Sequence, residues 1–173
     1  MEITLAAISQ YEQVRLFYHS LIDAMEGSPY PPGWKKDIYP SPEFLMESIS
    51  RKELYIGCEN REIVCAMILN QENNESYEQF QWPTAAAKGE ISVIHALGVH
   101  PVHTDKGFAR QMVRTAIMLA RKNNRKVLRL DVLKGNLPAE NLYKGEGFRH
   151  LHTLPMYYED TGWTDYELFE YVL

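Results

Sequence analysis

The stretch ISVIHALGVHPVHTDKGFA, from Ile91 to Ala109, decides the fold. Ile91 to Val99 reads as an apolar strand, and the loop behind it is rich in backbone N–H groups and opens a helix at Gly107. Gly107 carries no Cβ where a ligand has to approach the backbone. Free amides at a helix start attract an anion, usually a phosphate. Anything seated there lies beside the end of the preceding strand. That geometry suits a phosphate-bearing carrier whose reactive end reaches into a sheet. Gly98, inside the apolar strand, signals either a bulge or simple close packing. A bulge would splay the strand from its neighbour and leave backbone groups of Leu97 and Val99 needing partners.

Working outward, Ile3 to Ile8 reads as a short strand, and Tyr11 to Met25 has its apolar residues at helical spacing, ended by Gly27. Ser28 to Pro42 is rich in proline and predicts an irregular loop. Glu43 to Ser50 resembles a second short helix. Leu54 to Cys58 and Ile63 to Leu69 are strands joined by a turn over Glu59-Asn60-Arg61. Asn70 to Gly89 is polar and loop-like. Downstream of the central strand, Gly107 to Asn123 is an amphipathic helix and Val127 to Leu133 a buried strand. Asn136 to Lys144 is a short helix with Asn136 as its cap and Pro138 in its first turn. Phe148 to Tyr158 and Tyr166 to Val172 close the chain as strands. This order predicts one α/β domain with a mixed sheet, helices on its faces and antiparallel strands at both ends.

The 173 residues suffice for one domain with a real core, and no apolar run reaches the ~18 residues of a membrane span. The opening MEITLAAISQYEQV lacks a basic region followed by a long apolar core, so no signal peptide is expected. Cys58 and Cys65 fit a reduced pair on neighbouring strands, and their spacing matches no zinc pattern, so no metal is expected. A cytoplasmic protein follows from both. The net charge of −5 hides an asymmetry. Lys106 to Arg129 holds eight of the 18 basic residues and no acid, while everything after Arg149 is acidic or neutral. A chain acidic overall, with no aromatics interleaved in its basic run, argues against nucleic acid.

At these residues the chain resembles the acetyl-CoA-binding core of the GNAT superfamily of N-acetyltransferases. There a central strand ends in apolar-x-Val-x-Pro, and a Gln/Arg-x-x-Gly-x-Gly/Ala loop opens a helix. Here Leu97-Gly98-Val99-His100-Pro101 is followed by Thr104-Asp105-Lys106-Gly107-Phe108-Ala109. The family's later Asn, short helix with Ala and Leu-Tyr, and Gly-Phe match Asn136, Ala139, Leu142-Tyr143 and Gly147-Phe148. The match in order and spacing covers about a third of the chain. Thr104 departs from the family's Gln or Arg, and Asp105 behind it must face solvent to spare an anion.

The resemblance implies an acyl-CoA N-acyltransferase fold (α/β, α+β): a mixed, mostly antiparallel central sheet splayed at the fourth strand, with helices on both faces. It implies one domain over residues 1–173 with a cofactor core at about 90–149. It implies acetyl transfer from acetyl-CoA to a primary amine by direct attack through a tetrahedral intermediate. A noncatalytic acyl-CoA-binding module of the same fold is the alternative. The acceptor is a small-molecule or peptide amine, with no nucleic acid or membrane partner, and the protein a monomer or homodimer. Leu97, Gly98 and Val99 would meet the pantetheine arm, with the Val99 N–H on the thioester oxygen. Amides from Thr104 to Ala109 would take the pyrophosphate, helped by Lys106, Arg110 or Arg114. Asn136 and Ala139 would flank the arm, and Tyr143 would protonate the leaving thiolate. For the base, His95 shares strand parity with Leu97 and Val99. Glu90 at the strand start is a further candidate at the acceptor site, as are the aromatics Tyr30, Trp34 and Tyr39 of the Pro-rich loop, with Glu78, Tyr157, Tyr158 and Trp163.

Overall fold

A computed structural model describes residues 1–173. Seven strands form one sheet: β1 (Glu2–Leu5), β2 (Leu54–Glu59), β3 (Glu62–Asn70), β4 (Ile91–Val99), β5 (Val127–Leu133), β6 (Arg149–Tyr158) and β7 (Gly162–Val172). Their order is β1-β2-β3-β4-β5-β7-β6. Helices α1 (Tyr11–Ala24) and α2 (Pro42–Ser50) cover one face, burying Val14, Phe17, Leu21 and Leu45 against Ile56, Ala66 and Ile68. Helix α3 (Phe108–Lys122), with α4 (Leu137–Gly145) beside it, covers the other. The α3 residues buried there, Met112, Val113, Ala116, Ile117 and Ala120, follow the helical repeat that the sequence displays.

The outer elements depart from expectation at two ends. β1 stops at Leu5, and Ile8–Gln10 is a 3₁₀ turn whose Gln10 side chain accepts the Ala7 N–H. β7 begins at Gly162 rather than Tyr166, because Trp163, Thr164 and Asp165 pair with Tyr157, Met156 and Pro155 of β6. That segment is polar and turn-like in composition, and it is the hairpin partner that makes it a strand. The β2–β3 turn forms where expected, with Asn60 and Arg61 both at positive φ as a two-residue hairpin loop requires. Cys58 and Cys65 lie on these neighbouring strands as free thiols.

The feature that positions the site is the junction of β4 and β5. It is the sheet's only parallel pair, and its register covers just Ile91↔Val127, Ser92↔Leu128 and Val93↔Arg129. Beyond Val93 the two strands part, while β5 stays paired with β7 to Leu133. The parting coincides with a bulge. On β3, Ala66 pairs with Gly98 and Ile68 with His95, so Met67 alone faces both Ala96 and Leu97. Ala96 sits at φ 48°, an uncommon conformation for a residue with a side chain, and Tyr18 of α1 donates its hydroxyl proton to the Ala96 carbonyl at 2.8 Å. The bulge is therefore at Ala96–Leu97 and not at Gly98. Gly98 is instead a close-packing position: a Cβ there would stand 2.7 Å from Leu21 Cδ1 and 3.2 Å from the Trp34 ring.

Candidate active site

The loop after β4 turns through a 3₁₀ segment at Pro101–His103 and reaches α3 through Gly107, at φ 74°. No backbone hydrogen bond uses the N–H groups of residues 105–110. These are the unpaired donors of a helix start, an arrangement that suits an anion. No atom stands within 4 Å of where a Gly107 Cβ would be, so the seat is open. Thr104 commits its hydroxyl to the Pro101 carbonyl at 2.6 Å and so offers its hydroxyl oxygen only as an acceptor. Asp105 is exposed, as an anion seat demands. The basic side chains beside the loop are shared with acids. Lys106 contacts Glu59 at 2.7 Å, while Arg110 and Arg114 flank Glu146 at 2.9 and 2.7 Å.

From this seat the opening between β4 and β5 leads to a cavity of about 110 Å³. His100 donates its N–H to Val64 of β3, so by strand alternation the preceding Val99 N–H points the other way, towards the opening. The cavity is lined on the α4 side by Asn136, Ala139 and Tyr143 and on the β4 side by Leu97. Asn136 caps α4, its side chain accepting the Ala139 N–H at 3.4 Å. Tyr143 is buried, packed against Phe148 and Phe169, and burial together with the nearby Asp131 charge pushes its hydroxyl pKa up. The phenol is thus held neutral, as a proton donor must be.

The opposite wall comes from the Pro-rich loop and the β6–β7 hairpin. Trp34 packs against Tyr18 and Tyr39, and Tyr39 against Tyr158. Gly33 lets the loop reach the hairpin: a Cβ there would lie 2.7 Å from Thr161. Asp131 on β5 accepts hydroxyl protons from Tyr77 at 2.8 Å and Tyr158 at 3.0 Å, both at Oδ2. Desolvation outweighs those bonds and pushes its carboxyl up to about 6. Asp160, in the hairpin turn, lines the same cavity.

Several sequence expectations are corrected here. The bulge at Ala96 breaks the parity that linked His95 to Leu97 and Val99. Leu97 and Val99 pack with the α3 cluster, whereas the His95 ring lies edge-on to Phe44 of α2, although His95 too lines the cavity. Its Nε2 meets Asn70 Oδ1 and the Glu72 carbonyl, each at 2.9 Å, and burial pulls its pKa down to about 4. Glu90 is exposed at the far end of β4, where the strands are still paired, and it accepts the Ala87 N–H to close a turn. Tyr30 is exposed and lines no part of the cavity, while Trp34 does. Of the other acceptor-pocket candidates, Tyr39 and Tyr158 line the cavity, and Asp131 and Asp160 are the residues that sequence reading missed at this site. The one signal for Asp131 was an acid inside an apolar strand.

The family model for the acetyltransferase (GNAT) family matches residues 17–148. No curated protein matches the chain in sequence. Among solved structures, an N-acetyltransferase from Staphylococcus aureus Mu50 superposes with a TM-score of 0.72 at 18% identity, covering 99% of this chain and 97% of that one. A GNAT-family acetyltransferase from Streptococcus agalactiae 2603 gives 0.80 at 15% identity, covering 99% and 95%. The yncA structure from Salmonella typhimurium, solved with its cofactor acetyl-CoA, gives 0.73 at 16% identity, covering 100% and 94%. At such identities the structural likeness establishes the fold alone, and the sequence match to the family model establishes kinship.

Proposed function

The chain belongs to the GNAT acetyltransferase family, whose acyl donor is acetyl-CoA, and from that premise we propose that it acetylates a primary amine held in the cavity between Tyr143 and Asp131. The observation that carries this reading is the parting of β4 from β5 between the loop amides and the cavity. Free amides at residues 105–110 follow the unpaired end of β4, whose Leu97 lines the cavity that holds a buried phenol and a half-buried carboxylate.

Each group has a definable task. The loop amides suit the pyrophosphate of coenzyme A, and the unpaired backbone of Leu97 and Val99 suits the amide-rich pantetheine arm. Asn136 and Ala139 flank that arm. The Val99 N–H is directed at the position where a thioester oxygen gains charge. An alkyl ammonium, with a pKa of ~10.4, must shed a proton to attack. Asp131 is ionised at neutral pH yet raised enough to accept that proton, directly or through water. His95, pulled down to about 4, takes a proton less readily, and its two acceptors fix the proton on Nε2, so its role here is to hold Asn70 and the backbone at Glu72. Tyr143 gives its proton to the departing thiolate. Free thiols at Cys58 and Cys65 accord with a cytoplasmic setting.

Thiol release from acetyl-CoA in the presence of a primary amine tests the reading. Tyr143→Phe is expected to lower kcat by about 100-fold, in the range of a lost general acid, with the KM for acetyl-CoA little changed. Undiminished turnover in Tyr143→Phe, or no amine-dependent thiol release from the wild type, would favour a noncatalytic acyl-CoA-binding module.

A further inference from the structure

We propose that the acceptor is an alkyl diamine: Asp131 receives the nitrogen that reacts, and Asp160 holds a second ammonium group that does not. This rests on the reading of the cavity as the amine site and extends it to a substrate class.

Three observations converge. First, the cavity contains two carboxylates on its acceptor side, and no lysine or arginine lines it. An amine bearing its own carboxylate, such as a free amino acid, would meet like charge without a partner. Second, Asp160 is only 3% exposed, and its Oδ1 has no hydrogen-bond partner. A buried carboxylate oxygen left unpaired is costly, and an ammonium donor would relieve that cost. The positive charge this carboxyl senses belongs to Lys35, which is exposed on the Pro-rich loop and forms no salt bridge with it. Third, the aromatic rings of Trp34, Tyr39 and Tyr158 stand in the same wall, and aromatic faces attract alkylammonium groups.

The two acids have different environments and hence different tasks. Asp131 receives two tyrosine hydroxyls at Oδ2, which leaves Oδ1 for the reacting amine, and it shares the cavity with Tyr143. Asp160 lies in the β6–β7 turn and lines the same cavity as Tyr143 of α4. In the transfer, Asp131 takes the proton of the bound ammonium and passes it to solvent, and the free-base nitrogen adds to the thioester carbonyl to give a tetrahedral intermediate. The intermediate yields its surplus N–H proton to Asp131, and the C–S bond breaks as sulfur takes the Tyr143 proton, which solvent replaces; the distal ammonium is unchanged. The small cavity favours a compact chain over a folded protein surface.

The experiment compares 1,4-diaminobutane, 1-aminobutane and 4-aminobutanoate by thiol release, with acetyl-CoA binding followed separately by calorimetry. The expected order of kcat/KM is diamine over monoamine by at least tenfold, with the amino acid lowest. In Asp160→Asn the ratio of diamine to monoamine should fall towards one. A wild type that binds acetyl-CoA but prefers 4-aminobutanoate, or treats diamine and monoamine alike, overturns the diamine assignment and leaves acetyl transfer standing. A ratio unchanged in Asp160→Asn also overturns it. Since the ratio is internal to each variant, partial unfolding lowers both rates and does not mimic the effect. If acetyl-CoA does not bind, the underlying functional reading fails first.

Discussion

Asp131 shows how one residue can trade stability for chemistry. Its carboxyl is raised to about 6 in the fold, against ~3.9 for a free aspartate. Between those values the folded protein holds a proton that the unfolded chain has lost. Stability therefore declines as pH rises from about 4 to about 6 and stays lowered above that. Asp131→Asn keeps an acceptor for Tyr77 and Tyr158 but carries no charge, so thermal melts at pH 7.5 should show a higher Tm than the wild type, while acetyl transfer collapses. A lower Tm would mean that the ionised form is structurally required. The wild-type rate should also fall as pH drops through about 6, where the carboxylate becomes protonated. Asp131→Asn should lack that inflection. The place of Tyr143 in the cavity was legible in the sequence because its neighbours Leu142, Gly147 and Phe148 carry a pattern with it. Asp131 was not, because its importance arises only when Tyr77, Tyr158 and Asp160 arrive from segments far along the chain. His95 lines the cavity, but not by the strand alternation the sequence suggested, which runs through a bulge that the sequence does not mark.

At the scale of elements, the end of β4 is where local rules are broken to useful effect. Gly98 correctly signalled an irregularity, yet the left-handed residue is Ala96 two positions earlier, stabilised by the Tyr18 hydroxyl. Gly98 serves the packing of α1 and the Pro-rich loop instead. Gly98→Val is expected to cost about 1–3 kcal/mol by overpacking against Leu21 and Trp34. Because Trp34 must move, KM for the amine should rise more than KM for acetyl-CoA, which steady-state kinetics would resolve. Gly107 plays a different part. Gly107→Ala would force a side chain into a left-handed conformation at a cost of about 1 kcal/mol, read by urea denaturation. The splay itself followed from the motif, whereas the start of β7 did not. Strand pairing with β6, and not composition, recruits Trp163 to Asp165.

For the whole molecule, charges that look segregated along the chain are partly matched in space, with Lys106, Arg110, Arg114 and Arg129 each beside an acid. The basic run after Lys106 and the acidic C-terminal run meet across the sheet at one pair. Arg129 on β5 and Glu170 on β7 form a buried pair at 3.0 Å, with the guanidinium 4.1 Å from the Trp82 ring. Glu170→Gln would leave Arg129 buried without its counter-charge and is expected to cost about 3 kcal/mol in urea denaturation. Asp165→Asn, at the exposed pair with Lys134, should cost less than about 1 kcal/mol. The fold class was readable because helix and strand periodicities are local. The pairing of distant charges and the acceptor wall were not, since both depend on a loop, a hairpin and a strand meeting only after the sheet has formed. No helix is long and apolar enough to cross a membrane. The most direct measurement is a crystal structure with acetyl-CoA bound. The account requires the pyrophosphate on the amides of residues 105–110, the pantetheine arm between β4 and β5, and the thioester oxygen at the Val99 N–H beside Tyr143. Acetyl-CoA bound elsewhere, with β4 and β5 closed against each other beyond Val93, would contradict it.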